Sequence, residues 1–144
     1  MDDARSPYSR PYSRTIVQHA RDVRNRRSIA DASHRAPADN PLCGDQLELF
    51  LKVRNGVIDD LAYQGCACAL ATASASMMAL ALRGTELPRA HALLESFTRL
   101  IRSEGPWTEE LPGDLRAFED LRALPGRMQC ADLAWQALRA ALRN

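Results

Sequence analysis

Between residues 46 and 53 the chain alternates, with Leu47, Leu49, Leu51 and Val53 at every second position. A period of two sends those side chains to one face of an extended segment and predicts a half-buried strand. Asn55-Gly56 follows, a pair that tolerates the positive φ angles of a type I′ turn, so a hairpin with a return strand over 57–63 is predicted. After Gly65 the alternation ends. Residues 68–83 are small or good helix formers, and Gly84 supplies a stop. Leu70, Ser74, Met77, Met78 and Ala81 share one face of that helix. Its many Ala and Ser residues suit close packing, and the Met pair reads as core. A second helix runs from residue 87 or 88 to 102, with Pro88 in the first turn.

Gly105-Pro106 and Pro112-Gly113 mark a loop over 103–113, followed by a short helix near 114–121. Pro125-Gly126 is read as a break. The last helix is then expected to begin near Cys130 and run to Arg143, with Ala131, Ala134, Trp135, Leu138 and Leu142 as its apolar stripe. Upstream, a short helix over about 15–23 carries Ile16, Val17 and Ala20, and residues 31–42 read as irregular or briefly extended. The segregation of strands and helices predicts an α+β domain over residues 15–144: a small antiparallel sheet with helices packed on one face. Residues 1–14 hold two Ser/Tyr/Pro/Arg repeats and read as a disordered N-terminal arm.

Composition narrows the function classes. The 144 residues make about one domain, large enough to bury a core without a metal. A net charge of +1 gives no drive towards nucleic acid or anionic lipid. No apolar run reaches the roughly 18–20 residues that span a bilayer. The start of the chain lacks the apolar stretch of a secretory signal, and Asp2 and Asp3 oppose a transit peptide despite the many Arg and Ser. A cytoplasmic protein is expected.

The four cysteines change the picture most. Cys43 stands in Asn40-Pro41-Leu42-Cys43-Gly44-Asp45, Cys68 opens the first long helix, and Cys130 ends Pro125-Gly126-Arg127-Met128-Gln129-Cys130. In a reducing compartment, separated cysteines serve as metal ligands or reactive thiols; the alternative is small buried apolar residues. Alternation at a strand entry would place Cys43 and Asp45 on one side, with Gly44 relaxing the backbone between them. A helix N-terminus favours an anion, so Cys68 and Cys130 at helix starts would be stabilised as thiolates, with Arg127 adding positive charge. Three thiolates and a carboxylate suit tetrahedral zinc, or iron during cluster assembly. Cys66, two residues before Cys68, reads as a spare thiol. His19, His34 and His91 read as surface or capping residues, and Asp59-Asp60 as a solvated edge.

Taken together, the Asn40–Asp45 phrase, the run from Cys68 to Met78, Pro125-Gly126-Arg127 and Cys130-Ala131-Asp132-Leu133-Ala134-Trp135 resemble the U-type iron–sulfur cluster assembly family: IscU, SufU and the N-terminal domain of NifU. The long segment between Cys68 and Cys130 and Arg127 favour the SufU branch. Gln129 departs from the histidine of IscU proteins and from the lysine common in SufU proteins. The resemblance implies a SufU/IscU-like fold and metal binding by Cys43, Asp45, Cys68 and Cys130. It also implies zinc as the metal, a SufS-type PLP-dependent cysteine desulfurase as partner, and downstream iron–sulfur assembly proteins as recipients. Cys43 would accept the persulfide sulfur, making the protein a sulfurtransferase acting with the desulfurase. The IscU-like alternative is a scaffold that holds and transfers a [2Fe–2S] cluster on the same ligands.

Overall fold

The structure, a computed structural model, describes residues 13–41, 43–103, 106–121 and 124–143. The expected arm lies outside the described residues as far as residue 12, and so does Leu42 of the first cysteine phrase. Helix α1 (Arg14–Arg21) begins where the Ser13 hydroxyl accepts a hydrogen bond from the Ile16 N–H at 3.3 Å, and it buries Ile16.

Three strands follow: β1 (His34–Asn40), β2 (Asp45–Arg54) and β3 (Val57–Cys66), antiparallel in the order β1-β2-β3. The expected hairpin is present, with Asn55 at φ +53° and Gly56 at φ +77° in its turn. Strand β1 corrects the reading of 31–42 as irregular. His-Arg-Ala-Pro-Ala-Asp-Asn has no strand signature of its own, yet its register against β2 pairs Ala36 with Leu49 and Ala38 with Leu47. Pairing imposes the extended shape, and Pro37 is tolerated because β1 is an edge strand.

The sheet buries Ala36, Leu47, Leu49, Leu51, Leu61 and Tyr63 on one face. On the other, Ile29 and Ala32 cover Phe50 and Ala62 in a small second cluster. Helix α2 (Ala69–Leu82) lies between α1 and α4 and against β3. Every residue from Leu70 to Ala79 is buried, so the helix has no polar side at all through that stretch. Its small residues permit this: the Ser74 hydroxyl donates to the Ala131 carbonyl at 2.6 Å and accepts from the Trp135 indole N–H at 3.1 Å. Helix α3 (Leu87–Ile101) starts with Pro88 in its first turn as expected, and the segment expected as a short helix forms a 3₁₀ turn, Leu115–Leu121.

Helix α4 (Pro125–Leu142) packs on β1, β2, α2 and α3. It starts five residues earlier than the sequence suggested. Pro125 is the first helical residue, not a breaker, because a helix's first N–H needs no partner. Phe97, Trp107, Phe118 and Trp135 close the far side of the core: the Phe97 ring lies 4.6 Å from that of Trp135, with Trp107 and Phe118 edge-on at 6.0 and 6.1 Å. The fold is the α+β arrangement expected.

Asp60 is not a solvated edge. The Arg27 guanidinium grips it with two hydrogen bonds, of 3.0 and 2.8 Å, and Arg83 adds a third at 3.3 Å, holding the segment after α1 onto β3. Arg27 keeps the Asp60 carboxyl below its usual range.

Candidate metal centre

Three of the four cysteines and Asp45 converge at one end of the sheet. The connection between β1 and β2 is a tight turn: the N–H groups of Cys43 and Gly44 both donate to the Asn40 carbonyl, at 3.3 and 2.8 Å, and Gly44 takes φ +73°. A left-handed residue there is natural for glycine. The turn, not strand alternation, brings Cys43 back beside Asp45. Cys43 is left exposed on the turn, while Asp45, the first residue of β2, is only 5% exposed. The ligand atoms of Cys43, Asp45 and Cys130 lie within 4.8 Å of one another.

Cys68 joins them through Asp45 and Cys130. It is the N-cap of α2; its sulfur accepts from the Ala71 N–H at 3.5 Å, and its own N–H donates to Asp45 Oδ1 at 2.8 Å. Its thiol is pulled down to about 7, first by the hydrogen bond from Cys130 and then by the Ala71 N–H, against burial and the Asp45 charge. Cys130 is pushed well above the ordinary thiol range by the same shared hydrogen bond, by burial, and by negative charge on Cys68, Cys43 and Asp45. Of this pair, Cys68 is the more acidic thiol and Cys130 the less acidic. Contrary to expectation, Cys130 is not at a helix start: it is the sixth residue of α4, and its thiol faces the Gly126 carbonyl at 3.8 Å. The helix N-terminus therefore supports one thiolate, on Cys68.

Asp45 Oδ2 is buried and has no hydrogen-bond partner among the described residues. A buried carboxylate oxygen without a donor is costly. The Cys43 and Cys130 sulfurs lie within 4.8 Å of a ligand oxygen of Asp45, and negative charge on Cys68, Cys43 and Asp45 hinders ionisation of Cys130. A thiophilic cation placed among them would satisfy the oxygen and remove the mutual repulsion, so the donor set fits a metal on its own chemistry.

The other candidates stay apart. Cys66 ends β3, exposed and paired in register with Gln46. His19 Nε2 bonds Asp114 Oδ2 at 2.8 Å, His34 bonds the Ser33 hydroxyl at 2.8 Å, and His91 is exposed on α3. Gln129 is exposed, whereas Arg127 is half-buried and lines a groove with Cys43, Leu124, Gly126 and Cys130.

One supporting residue escaped the sequence reading. Gly65 sits at φ +136°, where a Cβ would lie 2.1 Å from the Gln46 carbonyl oxygen. Only glycine lets β3 approach β2 this closely just before the chain turns to deliver Cys68. An isolated glycine near the end of a strand was the available signal.

The fold and this cluster define a class: a small α+β protein with cysteines and a carboxylate that could hold a metal ion, gathered at one end of a three-stranded sheet. Residues 11–102 match the family model described as NifU-like N terminal domain. The chain belongs to that family of iron–sulfur cluster assembly proteins, as its cysteine phrases implied. It is 30% identical over 127 residues to the zinc-dependent sulfurtransferase SufU of Bacillus subtilis, covering 88% of this chain and 86% of the relative. It is 31% identical over 133 residues to the iron–sulfur cluster assembly scaffold protein IscU of Thermotoga maritima, covering 92% and 93%. Among solved structures, the N-terminal NifU-like protein of Brucella abortus superposes with a TM-score of 0.83 at 29% identity, covering 92% of each chain.

Proposed function

We propose that this protein is a zinc-binding sulfur acceptor in iron–sulfur cluster biogenesis, taking persulfide sulfur from a SufS-type cysteine desulfurase on Cys43. Asp45, Cys68, Cys130 and Cys43 would hold the zinc. Bound there, zinc would keep the thiols deprotonated and shielded from oxidation. The observation that carries the reading is the gradient of exposure across the ligands. Asp45 is 5% and Cys130 6% exposed, Cys68 is half-buried, and Cys43 alone is exposed, on a turn. Three ligands are thus built into strand and helix, while the fourth can meet a macromolecular donor.

The chain's own residues prepare that step. The Asn40 carbonyl and Gly44 shape the turn that presents Cys43. The Cys68 N–H fixes one Asp45 oxygen and leaves the other for the metal. Resemblance to the Bacillus sulfurtransferase supports zinc, and family membership supports the desulfurase partner and a cytoplasmic setting. Among the described residues no helix is long and apolar enough to cross a membrane.

The test measures zinc in freshly purified protein and sulfur uptake from a desulfurase supplied with ³⁵S-cysteine. About one zinc per chain and label on Cys43 are expected. If Cys43→Ala takes up label as the parent does, the acceptor assignment is wrong. The relatives that carry the scaffold name favour a second reading, assembly and transfer of a [2Fe–2S] cluster on the same residues. Anaerobic reconstitution with iron and sulfide decides it: a stable visible chromophore lost in Cys68→Ala marks a scaffold.

A further inference from the structure

Two sulfurs of the centre stand close enough to react with one another, and they differ in what can reach them. The ligand atoms of Cys43 and Cys130 lie within 4.8 Å. Neither thiol is firmly held: Cys43 meets the Asn40 carbonyl only at 3.9 Å, and Cys130 meets the Gly126 carbonyl at 3.8 Å. Cys43 is exposed on its turn, whereas Cys130 is 6% exposed within α4. A disulfide brings its sulfurs to about 2 Å, and rotation of the Cys43 side chain on the exposed turn supplies that approach. The other two thiols are placed differently. Cys66 is exposed at the end of β3, outside the cluster, and the Cys68 sulfur accepts the Ala71 N–H at the start of α2.

This juxtaposition gives a sulfur carried on Cys43 a second fate. A persulfide there has two sulfurs open to attack. The outer one extends from an exposed side chain, where a macromolecular recipient can take it. The inner one is Cys43 Sγ itself, the atom that lies within 4.8 Å of Cys130 Sγ. Attack on the inner sulfur expels hydrosulfide, a better leaving group than an alkyl thiolate.

We infer that Cys130 is a resolving thiol for sulfur on Cys43, discharging it as sulfide whenever no metal holds the pair. The inference rests on the acceptor reading above and adds a branch to it. The Cys130 sulfur forms a bond to Cys43 Sγ, and the S–S bond of the persulfide breaks. The outer sulfur leaves with the electron pair and takes the Cys130 proton, as hydrogen sulfide. The released sulfur gains two electrons while the two cysteines are oxidised to a disulfide, so no outside oxidant or reductant enters. Each release consumes the pair, and a dithiol reductant restores it. Zinc bound on Cys130 would occupy the attacking sulfur, so metal content selects between passing the sulfur on and releasing it.

The test uses the full chain carrying Cys66→Ser, which removes the exposed thiol outside the centre. Zinc-loaded and chelator-treated samples are given glutathione hydropersulfide and desalted. Sulfide is then read as methylene blue with no reductant present, while intact mass and peptide mapping follow the cysteines. The zinc-free protein is expected to release about one sulfide per chain and to gain a Cys43–Cys130 disulfide. Zinc should slow the release by about tenfold and leave the added sulfur on Cys43. In zinc-free Cys130→Ser the sulfur should stay on Cys43, with release again down by about tenfold. Undiminished release from that variant, or a disulfide mapped to Cys68 in place of Cys130, overturns the inference. Should Cys130→Ser fail to fold, the disulfide mapped in the Cys66→Ser chain decides alone. The small donor also separates the two readings. If a desulfurase delivers no label while sulfur from the small donor is discharged through Cys130, the acceptor reading fails and the resolving role stands. If the desulfurase labels Cys43 and zinc-free protein keeps that sulfur, the resolving role fails by itself.

Discussion

At the scale of single residues, the centre depends on atoms whose value comes from their neighbours. Asp45 is the clearest case, with one oxygen held by the Cys68 N–H and the other buried without a donor. Asp45→Ala should therefore lower zinc affinity strongly and, in metal-free protein, leave the fold intact; competition with a chromophoric chelator measures the first and circular dichroism the second. Gly65→Ala should destabilise by about 2–4 kcal/mol, from a positive-φ backbone and a Cβ driven into the Gln46 carbonyl. Because β3 would shift beside Cys68, zinc should bind more weakly as well. A chemical denaturation curve matching the parent's would show that the strand end adapts without cost. Cys43, Asp45, Cys68 and Cys130 were legible as a candidate set from residue type and phrase. Their unequal exposure was not, because it depends on which element each one ends or begins.

At the scale of elements, the hairpin and helices α2 and α3 were readable because local pattern and final structure agree. Strand β1 and the start of α4 were not. Strand β1 has no alternation of large apolar residues and is extended because β2 pairs with it. The Pro-Gly pair at 125–126 satisfies the start of a helix as well as the end of one, and nothing local distinguishes the two. The contact between the segment after α1 and β3 is also tertiary, and it responds to pH. Arg27 lowers the Asp60 carboxyl below its usual range, so the folded state binds that proton less readily than the unfolded chain. Its stabilisation is complete above the unfolded value near 3.8 and is lost as pH falls through the lower folded value. Asp60→Asn should cost about 1 kcal/mol at pH 7, a modest figure because both partners are partly exposed. The difference from the parent should shrink as pH falls through the lowered folded value and vanish below it. A difference that persists there would assign the effect to packing rather than charge.

At the scale of the whole molecule, metal binding and proton release are linked. If zinc binds as proposed, it would displace the proton on Cys130 and, in acid, a second one from Cys68. Affinity should therefore fall as pH is lowered, and more steeply below about pH 7 than above it. A pH-independent affinity would remove these two thiols from the ligand set. Chelation should lower the melting temperature without unfolding the protein, because the chain buries an extensive hydrophobic core of its own between the sheet and the helices. Unfolding on chelation at 25 °C would make the metal structural. The sequence by itself determined the class of fold, the hairpin with its Asn55-Gly56 turn and the residue types of the centre, since each is carried by short-range pattern or side-chain chemistry. Only the tertiary structure decided that Cys68 alone gains a helix N-terminus, that one Asp45 oxygen is left unpaired among the described residues, and that the Cys43 and Cys130 sulfurs meet within 4.8 Å. These follow from which elements pack together, and no local stretch of chain encodes that.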